Sequence, residues 1–411
     1  MSSVADESAG TPSIRDVPID DIAATFTRDR ADARPFLRAR AARGENAGLP
    51  TLVSAWLDRG IRVSEPHAAE LRLHRERIER YRAVLDDLRV VEPRAVCLKG
   101  LSAAFWYPIG LDRDMADLDL VVPDVSAVWR CGRRLAEQGW APGAIRVWQV
   151  GGQMESTLVM RRPAADPDLT PADEVDLSTI AYEGDRVTMP PRRRAWPVDP
   201  ALTLADCVMC LLEEVRDRRI RMRDMFDLAV FLERMQPADT RKVVELVVEY
   251  RALAPLASMI EAARIHLPSA VAWLCEVRTQ ARRRTRKPHL PWWASRAPMA
   301  SVLAVAAETH RRRSGTAAAL AERVLLGAQR SFGVDRLIGM GVALVGMPLG
   351  EPGSGVSRPY RDGRSLLDGA ELVSDGGRAH LSTPVGRFVL ALSSAVREEW
   401  LVEFPLRADQ A

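Results

Sequence analysis

A pair of aspartates constrains the possible fold of this chain more than any other feature. The two lie two residues apart, and the first comes seventeen residues after a lysine–glycine pair. The stretch Cys97–Val122 reads CLKGLSAAFWYPIGLDRDMADLDLVV. A short apolar run ends at Lys99-Gly100, and a second one begins at Asp117 and carries Asp119. Side chains of a strand alternate with period two, so both carboxylates project from one face of a sheet.

This pair needs a positive charge beside it. Two like charges about 4 Å apart repel by roughly 4 kcal/mol at a surface-like effective dielectric. Mg²⁺ suits the position, because it takes oxygen ligands from one or two carboxylates and completes its shell with water and substrate phosphate. The pattern therefore indicates metal-assisted phosphoryl or nucleotidyl transfer, with Mg²⁺ or Mn²⁺ as the cofactor.

A third carboxylate stands on a later segment with strand alternation, EVDLSTI at 174–180. Glu174, Asp176 and Ser178 share one face of this predicted strand, and the apolar residues between them share the other. We expect Asp176 to converge with Asp117 and Asp119 on one cleft, with Gly100 at its rim.

Together these residues resemble the uncharacterised nucleotidyltransferase family of the polymerase-β-like nucleotidyltransferase superfamily. The resemblance covers about residues 70 to 235. The motifs that carry it are Lys99-Gly100, Tyr107-Pro108, Arg113 four residues before Asp117, the Asp-Leu-Asp-Leu-Val-Val strand, and Asp227 at the position of the family's Asp-Leu helix.

The resemblance implies an α+β fold with a nucleotidyltransferase-type mixed β-sheet and flanking helices. It implies that Asp117, Asp119 and Asp176 are the catalytic and metal-binding residues, and that an NTP, first of all ATP, is the co-substrate. The implied nucleotide-binding residues are Lys99, Gly100, Ser102 and Arg113. Two positions depart from the family pattern, since Leu101 replaces a small residue and Ser178 replaces a frequent histidine.

Lysine usage singles out Lys99. Of the 58 basic residues, only Lys99, Lys242 and Lys287 are lysines. Lysine is a compact point charge and arginine a planar fork, so a rare lysine before the motif glycine suggests contact with a triphosphate or with the turn backbone. A chance lysine at a solvated turn is the alternative.

Arg113 has two possible roles on the sequence alone. It could neutralise charge on the triphosphate. It could instead pair with Asp112, Asp114 or Asp117 and orient the loop that leads to the aspartate strand.

Composition places few limits on partners. The net charge of +3 is close to neutral for 411 residues and argues against nucleic acid or a membrane surface as a partner. Three arginine runs, 192–194, 282–284 and 311–313, lack the interleaved aromatic residues of a stacking platform. The polar N-terminus has no signal-peptide core, and no apolar run approaches 18 residues, so we expect a cytoplasmic protein.

Five cysteines in a chain of this size predict free thiols. Cys207 and Cys210 have CxxC spacing, but they lie in an apolar helical run, LTLADCVMCLLEEV, without a second pair. We interpret them as core residues rather than a zinc or redox site.

Local patterns predict the main elements. Residues 65–90 predict an amphipathic helix, 95–98 a buried strand, and 101–107 a helix. Segments 145–150 and 154–161 predict a hairpin about Gly151-Gly152. An apolar helical pattern runs from 245 to 266, and the stretch from 370 to 393 predicts a small β element about an Asp-Gly-Gly turn.

The length predicts two or three domains. We divide the chain into a disordered N-terminus (1–16), N-terminal helices (17–92), a nucleotidyltransferase core (93–198), a helical domain (199–335), and a loop with a small β-rich segment (336–411).

Three functions remain open at this stage. The first is a metal-dependent nucleotidyltransferase that moves NMP from an NTP to a small-molecule or protein acceptor. The second is a non-catalytic nucleotide-binding or scaffold protein that retains the fold. The third, suggested only by the arginine runs, is an RNA-modifying transferase.

Overall fold

The computed structural model describes residues 48–150, 153–163, 172–182, 203–217, 220–285, 316–339, 342–349, 364–375 and 378–392. It also describes a few residues before and between these ranges, namely 19, 21, 22, 302, 303, 305, 306 and 309. The predicted disordered N-terminus, the Gly151-Gly152 turn and the arginine runs at 192–194 and 311–313 lie outside these residues.

Two helices precede the sheet, α1 (Leu49–Asp58) and α2 (Glu65–Val91). The long helix predicted over 65–90 is confirmed as α2, with Pro66 in its first turn, where a missing N–H costs nothing. Every residue of its predicted apolar stripe is buried, namely Leu71, Ile78, Tyr81, Leu85 and Leu88.

The described strands form one mixed sheet of ten, in the order β1-β2-β5-β4-β3-β6-β10-β9-β8-β7. Their bounds are β1 Val96–Cys97, β2 Asp117–Val121, β3 Ala141–Val150, β4 Gln153–Arg162, β5 Asp173–Ser178, β6 Leu344–Pro348, β7 Arg364–Leu367, β8 Ala370–Asp375, β9 Arg378–Thr383 and β10 Gly386–Ala391. Strands β2 and β5 are parallel neighbours, and the other pairs are antiparallel.

The C-terminal strands, where the sequence predicts a small β element, join the main sheet. β6 pairs with β3 on one side and with β10 on the other, so the strands after residue 343 extend the same sheet. The pairing joins Gly346 to Ile145, about 200 residues away in the chain. The residue pattern within either strand does not predict a contact over this distance.

The described helices after the first strand are α3 Leu101–Ala104, α4 Val125–Glu137, α5 Leu204–Asp217, α6 Met222–Arg234, α7 Pro237–Glu249, α8 Leu253–His266, α9 Val271–Arg284 and α10 Thr316–Gly339, with a 3-10 turn at Pro268–Ala270. The apolar pattern over 245–266 is divided between α7 and α8, because Arg251 adopts a left-handed conformation with φ of 55°.

None of these helices is both long and apolar enough to cross a membrane.

Two apolar cores meet at the end of β1. One lies among α1 and helices α5 to α9, and the other lies between the sheet and α2, α4 and α10. Cys97 packs in the sheet core and Leu98 in the helical core, as alternation along a strand requires. Lys99 and Gly100 follow directly, so the lysine–glycine turn lies at the boundary between the two cores. The CxxC cysteines are buried in the helical core, which confirms their predicted packing role.

Gly346 provides a test of the continuous sheet. A Cβ at this position would overlap Ile145 Cγ2, so Gly346→Ala overpacks the junction between β3 and β6. We expect a loss of about 1–3 kcal/mol in the free energy of unfolding, measured by urea denaturation.

Gly327→Ala in α10 is the matched control, because a Cβ added at this position would have open space around it. Helix propensity favours alanine there by up to about 1 kcal/mol, so this variant should be neutral or more stable. Equal stability of the two variants would contradict the observed β3–β6 pairing.

Candidate active site

The three predicted aspartates lie on one face of two neighbouring parallel strands. Asp117 is in register with Glu174, and Asp119 is in register with Asp176. Neighbouring strands lie about 4.8 Å apart, so four carboxylates share a small area of this face. Strand alternation was therefore sufficient to predict which face each aspartate occupies.

Gly100 bends the chain beside this face. Its φ of 47° is in the left-handed region, and a Cβ would overlap Met115 Sδ. Any larger residue would collide with the loop that leads into β2. The glycine of the motif therefore has a steric role that brings Lys99 back toward Asp119.

Lys99 lies between carboxylates from two parts of the chain. Its Nζ is 3.9 Å from Asp119 Oδ2 and 3.6 Å from Glu214 Oε1. The second oxygen of Glu214 accepts a hydrogen bond from Arg223 Nη2 at 3.0 Å. Glu214 of helix α5 thus lies beside the lysine–glycine turn, and Arg223 of helix α6 holds its carboxylate in place.

Sequence reasoning missed Glu214. The signal was present, because Glu213 and Glu214 interrupt the apolar run of α5, and Glu213 is buried. Carboxylates are seldom buried without a charged partner, so the pair indicates a nearby cation.

Crowding of negative charge shifts the pKa values of the site. Burial raises the pKa of Asp119 to about 7; Lys99 opposes this shift, and Asp117 and the glutamates of α5 add to it. Burial and then Asp119 and Asp117 raise the pKa of Asp176 well above its usual value. Burial lowers the pKa of Lys99, but Asp119 and Glu214 outweigh it, so that pKa is raised and the ammonium stays charged.

Arg113 forms no side-chain ion pair with any of the three aspartates proposed for it, and its partner is Asp227. Its guanidinium donates two hydrogen bonds of 2.8 Å to Asp227 of α6, and both side chains are buried. Tyr107 donates to the same carboxylate at 2.6 Å. This arrangement favours the loop-orienting role of Arg113, because its guanidinium has a buried partner, and the nucleotide-binding role stays a prediction.

Ser102 also has an internal partner. Its hydroxyl donates to the carbonyl of Cys97 at 2.6 Å and closes the turn around Gly100. The helix predicted over 101–107 is a single turn, α3, because Phe105 is its C-cap. The main positive feature of this turn is therefore the charge of Lys99 rather than the dipole of a long helix.

The carboxylate face continues across β4 and β3. Thr157 and Ser178 pair across the strands, with 3.1 Å between their hydroxyl oxygens. Arg161 donates to Glu174 at 2.7 Å, and the positive charge of Arg146 on β3 acts on Asp176. The hydroxyl of Ser178 thus takes part in hydrogen bonds that join neighbouring segments of the sheet region.

The donor set suits a hard divalent cation. Asp176 Oδ1 is buried and accepts no hydrogen bond from the described residues, which is costly for a carboxylate oxygen unless a cation binds there. Within the same residues, however, no three His, Cys, Asp or Glu side chains are grouped closely enough to hold a metal by themselves. Three like charges repel one another, and Mg²⁺ needs only one or two carboxylates when phosphate and water complete its shell.

Comparison of the chain with family models, curated proteins and solved structures finds no match.

Asp227→Asn tests the ion pair that fixes the loop before β2. The variant leaves the Arg113 guanidinium buried without a compensating charge, which typically costs about 3–5 kcal/mol. Glu245→Gln, which loses only exposed pairs with Lys242 and Arg284, is the control and should cost less than about 1 kcal/mol. A similar, small loss in both variants by urea denaturation would rule out a structural role for the Arg113–Asp227 pair.

The raised pKa of Asp119 predicts a pH dependence of stability in metal-free buffer. A carboxyl group whose pKa is raised on folding contributes stability below its unfolded pKa, and this contribution is lost as pH rises through the folded pKa. Asp119→Asn removes the penalty, so its stability advantage over wild type should grow between pH 5.5 and pH 8. With a folded pKa of about 7, the growth is about 2 kcal/mol.

Urea denaturation of both proteins with EDTA at the two pH values measures this growth. The pKa of buried His74 is lowered, mainly by burial, and moves stability in the opposite direction, but its effect is common to both proteins. An advantage that stays constant or shrinks toward pH 8 would show that Asp119 is not held in a crowded, buried environment.

Proposed function

We propose that this protein is a metal-dependent nucleotidyltransferase that transfers NMP from an NTP, ATP being the first to test, to a small-molecule or protein acceptor. The observation that carries the proposal is the register of Asp119 with Asp176 beside the Lys99–Gly100 turn. The parallel strands place several carboxylate oxygens, which are hard ligands, close to the ammonium group of Lys99. One of these ligands, Asp176 Oδ1, is buried and accepts no hydrogen bond within the described part of the chain.

In this proposal the nucleotide lies on the β1 side of the carboxylates. Lys99 lies close to Asp119 on that side, and the left-handed turn at Gly100 directs Lys99 there. A point charge of this kind stabilises the triphosphate in the ground state as well as in the transition state. Arg113 contributes indirectly, since its pairing with Asp227 fixes the loop that precedes the aspartates.

Asp117, Asp119 and Asp176 would hold the divalent cation, and that cation would stabilise charge on the phosphate oxygens during displacement. Asp176 has a second role. Its raised pKa makes it a stronger base than an ordinary carboxylate, which suits it to accept a proton from the attacking group of the acceptor. Most of the rate enhancement would come from positioning and charge stabilisation.

A radiolabel assay tests the proposal. We expect transfer of label from α-³²P-ATP to an acceptor in fractionated cell extract, only when Mg²⁺ or Mn²⁺ is present. Asp176→Ala should abolish transfer but keep ATP affinity within about threefold, because the remaining carboxylates and the turn still bind the nucleotide. Lys99→Ala should weaken ATP binding about tenfold, or about 1.4 kcal/mol.

Lys242→Ala is the matched control for the lysine variant, because Lys242 is exposed on α7 and pairs only with Glu245 among the described residues. ATP binding by calorimetry and labelling should match wild type. Nucleotide binding without labelling from any of the four NTPs would favour the non-catalytic nucleotide-binding alternative. Label recovered only in RNA would favour the RNA-modifying alternative.

Thermal unfolding gives an independent measurement. Mg²⁺ with ATP should raise the melting temperature by mass action, since only the folded chain assembles the site. The double variant Asp117→Asn with Asp119→Asn should lose that increase. A full increase in the double variant would place the bound metal elsewhere.

A further inference from the structure

Lys99 places a positive charge beside the carboxylate of Asp119. Its ammonium lies 3.9 Å from one oxygen of Asp119 and 3.6 Å from one oxygen of Glu214. All three side chains are about four-fifths buried, so water screens these charges only weakly. A divalent cation that binds Asp119 would meet the ammonium at close range and repel it.

Glu214 offers the ammonium a second, ready position. It comes from α5, and Arg223 of α6 holds its other oxygen at 3.0 Å, so Glu214 does not need to move to receive the lysine. The flexible four-carbon stem of a lysine allows the charge to shift between two carboxylates, which a planar guanidinium would do less easily.

We propose that Lys99 is a displaceable counter-ion of the carboxylate face, and that Glu214 is the positioning residue that retains Lys99 when a divalent cation binds Asp119. This inference rests on the proposed function for the presence of the cation. It assigns the helical region a direct part in the site, because Glu214 sets how strongly Lys99 competes with the metal.

The test measures Mn²⁺ binding to the full-length chain by electron paramagnetic resonance, without nucleotide. Lys99→Met removes the competing charge, so Mn²⁺ should bind about tenfold more tightly. Glu214→Gln leaves Asp119 as the one carboxylate within ion-pair distance of Lys99 among the described residues, so Mn²⁺ should bind about tenfold more weakly. In the double variant Lys99→Met with Glu214→Gln, affinity should stay close to that of Lys99→Met.

The double-mutant cycle separates positioning from direct ligation. If Glu214→Gln weakens Mn²⁺ binding equally in the wild-type chain and in Lys99→Met, Glu214 acts on the cation itself and the proposal is wrong. Unchanged or weaker binding by Lys99→Met, or no Mn²⁺ binding by wild type, also overturns it. Lys99→Gln replaces Lys99→Met if circular dichroism shows the latter to be unfolded, and Glu245→Gln on α7 should bind Mn²⁺ like wild type.

The outcome is independent of the transfer assay. A cycle that behaves as expected in a chain that labels no acceptor would support the counter-ion role and reject the nucleotidyltransferase. If acceptor labelling is normal but the effects of Lys99→Met and Glu214→Gln on Mn²⁺ affinity simply add, only the role of Glu214 would be rejected.

Discussion

Repulsion among carboxylates on one face of β2 and β5 is the constraint on which the rest of the site depends. The parallel register sets Asp119 beside Asp176 and Asp117 beside Glu174, so the strands themselves enforce the crowding. Compensation comes from the edges of the face, from Lys99 on one side and from the arginines of β3 and β4 on the other. Burial raises the pKa of Asp119 to about 7; Lys99 opposes this shift, and the neighbouring carboxylates add to it.

The loop between Gly100 and β2 depends on contacts far from it in sequence. The Arg113 guanidinium is bound by Asp227, 114 residues later, and the Arg113 carbonyl accepts a hydrogen bond of 3.0 Å from His74 Nε2. Helix α2 and helix α6 therefore clamp the loop from two directions. Because these groups are buried, each hydrogen bond is costly to lose, and the start of β2 is fixed accordingly.

Sequence patterns predicted the features that depend on nearest neighbours along the chain. Alternation placed Asp117, Asp119 and Asp176 on one face, and helical periodicity identified α2 with its buried stripe. Features that depend on tertiary pairing were missed: the partner of Arg113 was sought within four residues, and Glu214 was not considered. The same limit explains the C-terminal strands, whose alternation was recognised but whose pairing with β3 through β6 has no local signal.

The site does not belong to the sheet region alone, because two of its positive side chains, Lys99 and Arg113, pair with carboxylates of the helical region. A chain limited to residues 93–198 would keep the aspartates, Lys99 and Arg113 but would lack Glu214 and Asp227. Arg113 would then lose the carboxylate that allows its burial, and Lys99 would retain only Asp119. Buried charges without partners are costly enough to move the loop or admit water. The helical region is therefore part of the geometry that any metal or nucleotide would meet, and the lysine–glycine turn at the boundary of the cores is where the two regions act together.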